Sequence, residues 1–253
     1  MDLPLITGWA FYATAIPAVL LLGLSKSGFG AGLGSLAVPL MALAIPVPQA
    51  AALLMPVLLL CDILSVAAFR RDIDKALLRL LIPFGLLGTL VGTLLFRVLD
   101  ARTVATLVGV FTLLFLAQRW LFAPRADSPP PPPPRWAGRV LATVSGFTSF
   151  VSHTGGPPLN AYVIPLRLAP VQFAATMAVF FFCINLAKWL PYAWLGLFDA
   201  RNLATSVLLL PFAPVGVWAG VRFARRVSPT LFYRLINLGM LLTGLKLLWD
   251  GLH

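Results

Sequence analysis

Charge is scarce in this chain. Of its 253 residues, 11% are Asp, Glu, Lys or Arg and 60% are hydrophobic, whereas a soluble domain of that length needs many more polar side chains to cover its surface. The composition excludes an ordinary water-soluble protein, and lipid is the expected covering for much of the surface. Acidic residues are scarcer still: eight Asp and Glu leave little for the clustered carboxylates of metal-assisted or paired acid–base chemistry. The two cysteines, Cys61 and Cys183, each sit in an apolar run with no second thiol nearby, so neither a disulfide framework nor redox chemistry is indicated. His153 has no neighbouring His, Cys or carboxylate to complete a coordination set, and no metal or cofactor is expected. The alternating polarity of short membrane-barrel strands is missing as well. Met1, Asp2, Leu3 and Pro4 lack the positive region of a cleaved signal peptide, so the first apolar stretch is expected to remain in the mature protein.

What the chain does contain is a series of long apolar runs, at 50–69, 76–96, 103–122, 171–190, 203–223 and 231–249. Each is near the roughly 20 residues a helix needs to cross a bilayer. The expected fold class is all-α, a polytopic membrane protein. A formal net charge of +11 does not point to nucleic acid, because Lys and Arg fall in short loops between apolar runs and form no basic stripe.

Residues 124–136 include six consecutive prolines, Pro129 to Pro134, which as polyproline II make a stiff rod of roughly 19 Å. This linker separates a first membrane repeat, 1–123, from a second, 137–253. Shifting the sequence by 128 positions lays Pro83 on Pro211, Gly88 on Gly216, Gly92 on Gly220 and Arg97 on Arg225. Each half shows about five apolar segments: 9–24, 31–45, 49–69, 76–97 and 102–122, then 137–151, 157–168, 171–194, 201–223 and 230–250. An odd number inserts the second half upside down, giving two inverted repeats with broken or re-entrant helices at the centre. One set of loops holds Arg70, Arg71, Lys75, Arg125, Arg135, Arg139, Arg222, Arg225 and Arg226, and the opposite set Arg97, Arg102, Asp199 and Arg201. The positive-inside rule makes the first set cytoplasmic and puts both termini outside, in the cytoplasmic (inner) membrane. Inverted repeats are a recurring architecture of secondary transporters.

Two glycine-rich breaks interrupt the apolar pattern, at Ser25, Lys26, Ser27, Gly28 and Gly30, and at Ser152, His153, Thr154, Gly155 and Gly156. Unwound backbone within a membrane is tolerated only where protein, water or a ligand satisfies it. Each break leads into a short segment whose N-terminus offers N–H groups and a positive dipole end, and Lys26 adds a cation; the combination suits a small anion. The competing reading is that Gly28, Gly30, Gly32 and Gly34 only allow close helix packing. Lys188 lies inside an apolar run with Asn185 three residues earlier. Two readings are open for it: a ligand-facing intramembrane cation, or a lysine that snorkels to the interface beside Trp189, Tyr192 and Trp194. Asp62, the carboxylate well inside an apolar run of the first half, either balances Lys26 or Lys188 or carries a coupling proton. Ser25, Ser27, Thr154, Asn160 and Asn185 are candidates for hydrogen bonds to an anion's oxygens, and Gln49 and Gln172 are expected to act as caps or interface residues.

At the breaks the sequence resembles the sulfite exporter TauE/SafE family, also known as the toluene-sulfonate-uptake permeases. The resemblance is carried by GLSKSGFGAGLG at 23–34 with VPLM at 38–41, by HTGGPP at 153–158 with Pro165, and by NLAK at 185–188 with Pro191 and Tyr192. The usual GxGGG break of that family is spread out in the first half and cut short by Pro157 and Pro158 in the second, as in a variant subgroup. The resemblance implies a transporter of sulfite, thiosulfate, sulfoacetate or another organosulfonate; coupling to a proton or to sodium is left open, and no cofactor is expected. Two other functions remain in view at this point. An intramembrane lipid-diphosphate hydrolase would need more than the adjacent Ser152 and His153, which point about 100° apart on a helix. A non-transporting scaffold would use the proline rod to recruit a partner.

Overall fold

The computed structural model describes residues 6, 8–29, 33–41, 43–96, 98, 100–121, 132–195 and 200–252. Helix follows helix: α1 (Trp9–Leu24), a π turn at Ser25–Phe29, a 3-10 turn at Leu33–Leu36, α2 (Ala37–Met41), α3 (Val47–Phe69), α4 (Lys75–Leu95) and α5 (Ala101–Leu121). After the linker come α6 (Arg135–Ser152), α7 (Gly156–Val163) with a 3-10 turn at Ile164–Leu166, α8 (Pro170–Trp194), α9 (Ala200–Leu209), α10 (Phe212–Arg226) and α11 (Pro229–Leu252). No strand occurs among the described residues. Six helical stretches are long and apolar enough to cross a membrane, and α9 with α10 makes a seventh if the bent pair counts as one span. The protein is an all-α multi-pass membrane protein. Its outward faces carry Leu90, Leu94, Leu107, Leu114 and Leu190, as a lipid-facing surface requires.

Three local features depart from the sequence expectation. Ser25–Phe29 is not unwound: it continues α1 as a π turn, and Gly30 lies outside the described residues. The segment expected at 201–223 is broken between α9 and α10, with a bend of 48°. Pro211 causes the bend, since its nitrogen cannot donate and its ring crowds the preceding turn. Pro83, its counterpart in the 128 register, leaves α4 continuous. Finally, α6 begins at Arg135, two residues inside the stretch assigned to the linker, because Pro134 is already set to precede a first helical turn.

Packing pairs elements across the linker. α4 lies along α6, α1 along α10, α5 along α11, and α3 along α8 at the centre. Without a hydrophobic force between helices in lipid, small residues that let backbones approach do most of this work. A β-carbon on Gly88 would collide with Thr143 O of α6, and one on Gly216 with Leu20 O of α1 at 2.6 Å. Gly92 meets Phe150 of α6, and Gly220 meets Ser27 and Gly28. The glycines that coincide in the 128 register therefore each seat the first helix of the other half. Polar contacts repeat the pattern: Gln49 Nε2 donates to Asn202 Oδ1 at 3.0 Å, and Gln172 Nε2 donates to Asp74 Oδ2 at 3.5 Å. Asp74 also caps α4 by accepting from Leu77 N at 2.9 Å.

Candidate functional site

The site forms where both breaks meet the central pair α3 and α8. A π turn places one extra residue in a helical turn and re-aims its side chains; here Lys26, 6% exposed, points inward to α3. Its Nζ lies 2.8 Å from Asp62 Oδ1, an ion pair whose carboxylate is fully buried. Asn185 Nδ2 of α8 donates to the other oxygen, Asp62 Oδ2, at 2.5 Å. The Phe181 ring lies under Lys26, with Nζ 5.1 Å from its centroid. One turn beyond Asn185, Lys188 is fully buried, and its Nζ donates to Ser149 O at 2.6 Å and to Ser149 Oγ at 2.7 Å, both on α6. Lys188 therefore turns inward and does not snorkel. It meets a carbonyl of the last turn of α6, where the helix dipole favours a cation.

The second break is tied down by hydroxyls. Ser145 Oγ donates to Gly155 O at 2.6 Å, Thr148 Oγ1 to Thr154 O at 3.3 Å, and the Ser152 and Thr154 hydroxyls pair at 2.7 Å. His153 closes α6 at a φ of 56°, in the left-handed region. Its ring Nε2 pairs with Tyr192 Oη at 3.2 Å, and Tyr192 Oη also donates to Phe150 O at 3.0 Å. Ser152 Oγ instead donates back to Thr148 O at 3.2 Å, so Ser152 and His153 are not arranged as nucleophile and base. Pro157 and Pro158 occupy the first turn of α7 and carry no N–H. That tip can offer the amides of Gly155 and Gly156 only.

Lys26, Gly34, His153, Gly155, Gly156, Asn185 and Lys188 surround one cavity of about 40 Å³, together with Ser149, Phe181 and the apolar Leu22, Val38, Leu54 and Leu58. That is room for a few waters. The cavity sits near mid-length of α3 and of α8. Two ammonium groups and one carboxylate meet there, a formal balance of +1. Asp62 stands behind the wall and grips two of its donors from outside the cavity.

The remaining candidates among the described residues do not border the cavity. Ser25 Oγ accepts from Gly34 N at 2.7 Å, and Ser27 Oγ donates to Gly23 O at 2.7 Å and Val217 O at 2.9 Å. Gly28 packs on Gly220. Thr154 is spent within the second break, as described above. Asn160 is fully buried with no protein partner at Nδ2 or Oδ1. It lies one turn after Gly156 on the same face of α7, and side chains lean toward a helix's N-terminus. Among the described residues no three His, Cys, Asp or Glu side chains come together.

A protein-family model, Sulfite exporter TauE/SafE, matches residues 15–247. The chain belongs to the sulfite exporter TauE/SafE family. The match takes in both breaks, the central helices and the linker between the halves, so every cavity residue lies within it. TauE/SafE proteins are transporters, and this multi-pass chain is a member of a transporter family. Comparisons with curated proteins and with solved structures return no match. Sequence reading had not singled out Ser149 or Phe181 in this TauE/SafE protein. A signal was available for the second: Phe181, Asn185, Lys188 and Tyr192 follow at spacings of four, three and four, one stripe of α8.

Proposed function

We propose that the chain is a secondary transporter of small sulfur-containing oxyanions, such as sulfite, thiosulfate or sulfoacetate, working by alternating access across the cytoplasmic membrane. One observation carries this reading: two buried lysines from opposite halves, Lys26 and Lys188, line one cavity near mid-length of the central helices, and the buried carboxylate of Asp62 pairs with the first of them from behind the wall. An uncompensated buried charge is costly, and a bound anion offsets it.

Lys188 has three N–H donors and uses two on Ser149, which leaves one for an anion oxygen. The amides of Gly155 and Gly156 and the His153 ring complete a polar wall suited to several oxygens. A monovalent anion brings the formal balance to zero. A dianion leaves it at −1, and a proton or sodium ion travelling with it restores neutrality. The two halves, read as inverted repeats with loops 70–75 and 124–136 cytoplasmic and both termini outside, then rock about the anion to expose it to either side.

The test is flux in proteoliposomes together with a thermal-shift panel of sulfite, thiosulfate, sulfoacetate, taurine and sulfate. The true substrate raises the melting temperature, since it binds the folded state alone. If Lys26→Ala and Lys188→Ala both leave binding and flux unchanged, the proposed site is wrong.

A further inference from the structure

Away from the transport cavity, the C-terminal ends of α3 and α10 and the start of α8 surround a cleft of about 570 Å³ that shares no lining residue with it. Arg70, Arg71 and Asp72 follow α3 into the cleft, Arg225 enters from α10, and Ala67, Ala68 and Val171 form its apolar side. Phe69, fully buried with Ala174, Ala175 and Ala224, fills the junction of the three helices. Three guanidinium groups thus face one carboxylate. None of them makes an ion pair among the described residues. Arg225 is held across the gap, its Nη2 donating to Ala68 O at 2.9 Å.

The surface running into the cleft is apolar. Ile63 lies one turn before Ala67 on α3 and is 47% exposed, while Trp218, two turns before Arg225 on α10, is 64% exposed. Arg222 stacks on Trp218 with its guanidinium 5.6 Å from a ring centroid, as aromatic and basic side chains do at a membrane surface. A guanidinium cluster suits phosphate oxygens, and the adjoining apolar faces of α3 and α10 suit hydrocarbon. A free anion would have no use for the second feature. An amphiphile uses both.

We propose that this cleft binds the phosphate of an anionic phospholipid, with its acyl chains along Ile63 and Trp218. Basic pockets between membrane helices are suited to such headgroups. The lipid is a resident of the fold and not the transported anion.

The experiment compares the purified full chain in phosphatidylcholine nanodiscs with and without phosphatidylglycerol, by native mass spectrometry and by melting temperature. The unaltered protein retains phosphatidylglycerol preferentially and melts higher in its presence. Replacing Arg70, Arg71 and Arg225 together by Gln weakens that preference by roughly five-fold per arginine, while the charge-matched set Arg79→Gln, Arg139→Gln and Arg234→Gln keeps it. The single variant Arg71→Gln, at an exposed position, shows a partial loss without risk to the fold. Equal loss in both triple variants would reduce the effect to general surface charge and overturn the proposal. The same stabilisation by inorganic phosphate in pure phosphatidylcholine would overturn the lipid as occupant.

Discussion

In the first half the glycine-rich stretch carries its own cation: Lys26 stands in a π turn and meets a carboxylate at 2.8 Å. In the second half the break carries a left-handed His153 and carbonyls tied to α6, and the cation comes from α8 as Lys188, which among the described residues bonds the neutral Ser149. Both arrangements line the same cavity. The difference lies in compensation: one lysine is neutralised by the protein, and the other is merely solvated by it. The unneutralised lysine is where a bound anion gains most, and the neutralised one anchors α1 to α3.

Lys26→Met separates these roles most sharply. It strands Asp62 as an unpaired buried carboxylate, so stability should fall by about 3–5 kcal/mol and flux should be lost; chemical unfolding and proteoliposome uptake measure the two. Adding Asp62→Asn to Lys26→Met should recover most of the stability but none of the flux. Lys188→Met should cost only about 1 kcal/mol of stability while reducing flux roughly a hundred-fold, the value of a charge-assisted contact. Equal destabilisation by the two single variants would erase the distinction.

Asp62→Asn sharpens the comparison from the other side. It raises the formal balance of the site from +1 to +2, and anion affinity in a thermal-shift titration should tighten about ten-fold. A weaker affinity would instead make Asp62 part of the coupling machinery. Smaller effects should treat the halves alike. Gly88→Ala and Gly216→Ala each force a β-carbon onto the backbone of the other half's first helix, and each should destabilise by roughly 1–3 kcal/mol, read as a lower melting temperature. Smallest of all, shortening the linker by removing Pro129 to Pro134 should leave flux within about two-fold, whereas a scaffold function would be abolished.

The first half of the candidate site was the more legible. Lys26 and the glycine-rich stretch announced themselves as charge and punctuation within an apolar context, and Asp62 as a carboxylate inside an apolar run. The hydroxyls of both halves were less legible. Ser25, Ser27 and Thr154 read as ligands for oxyanions, but hydroxyls near helix ends readily find local partners: Ser25 and Ser27 bond backbone groups, and the Thr154 hydroxyl pairs with that of Ser152. Lys188 could not be oriented from its position alone, because a lysine with a four-carbon stem reaches either the interface or the interior.

Periodicity and length determined the membrane helices on their own, because a bilayer's thickness and the helix rise act on each run separately. The glycine register across the linker was equally local, since a residue without a side chain marks a close approach whatever approaches it. Which polar groups met was decided only by tertiary structure. Lys26 and Asp62 are 36 residues apart, and Asp62 and Asn185 are 123 apart; whether such groups touch depends on the depth and rotation of each helix. Those follow from how the backbones settle against one another at Gly88, Gly216 and Gly220, which no single run of residues encodes.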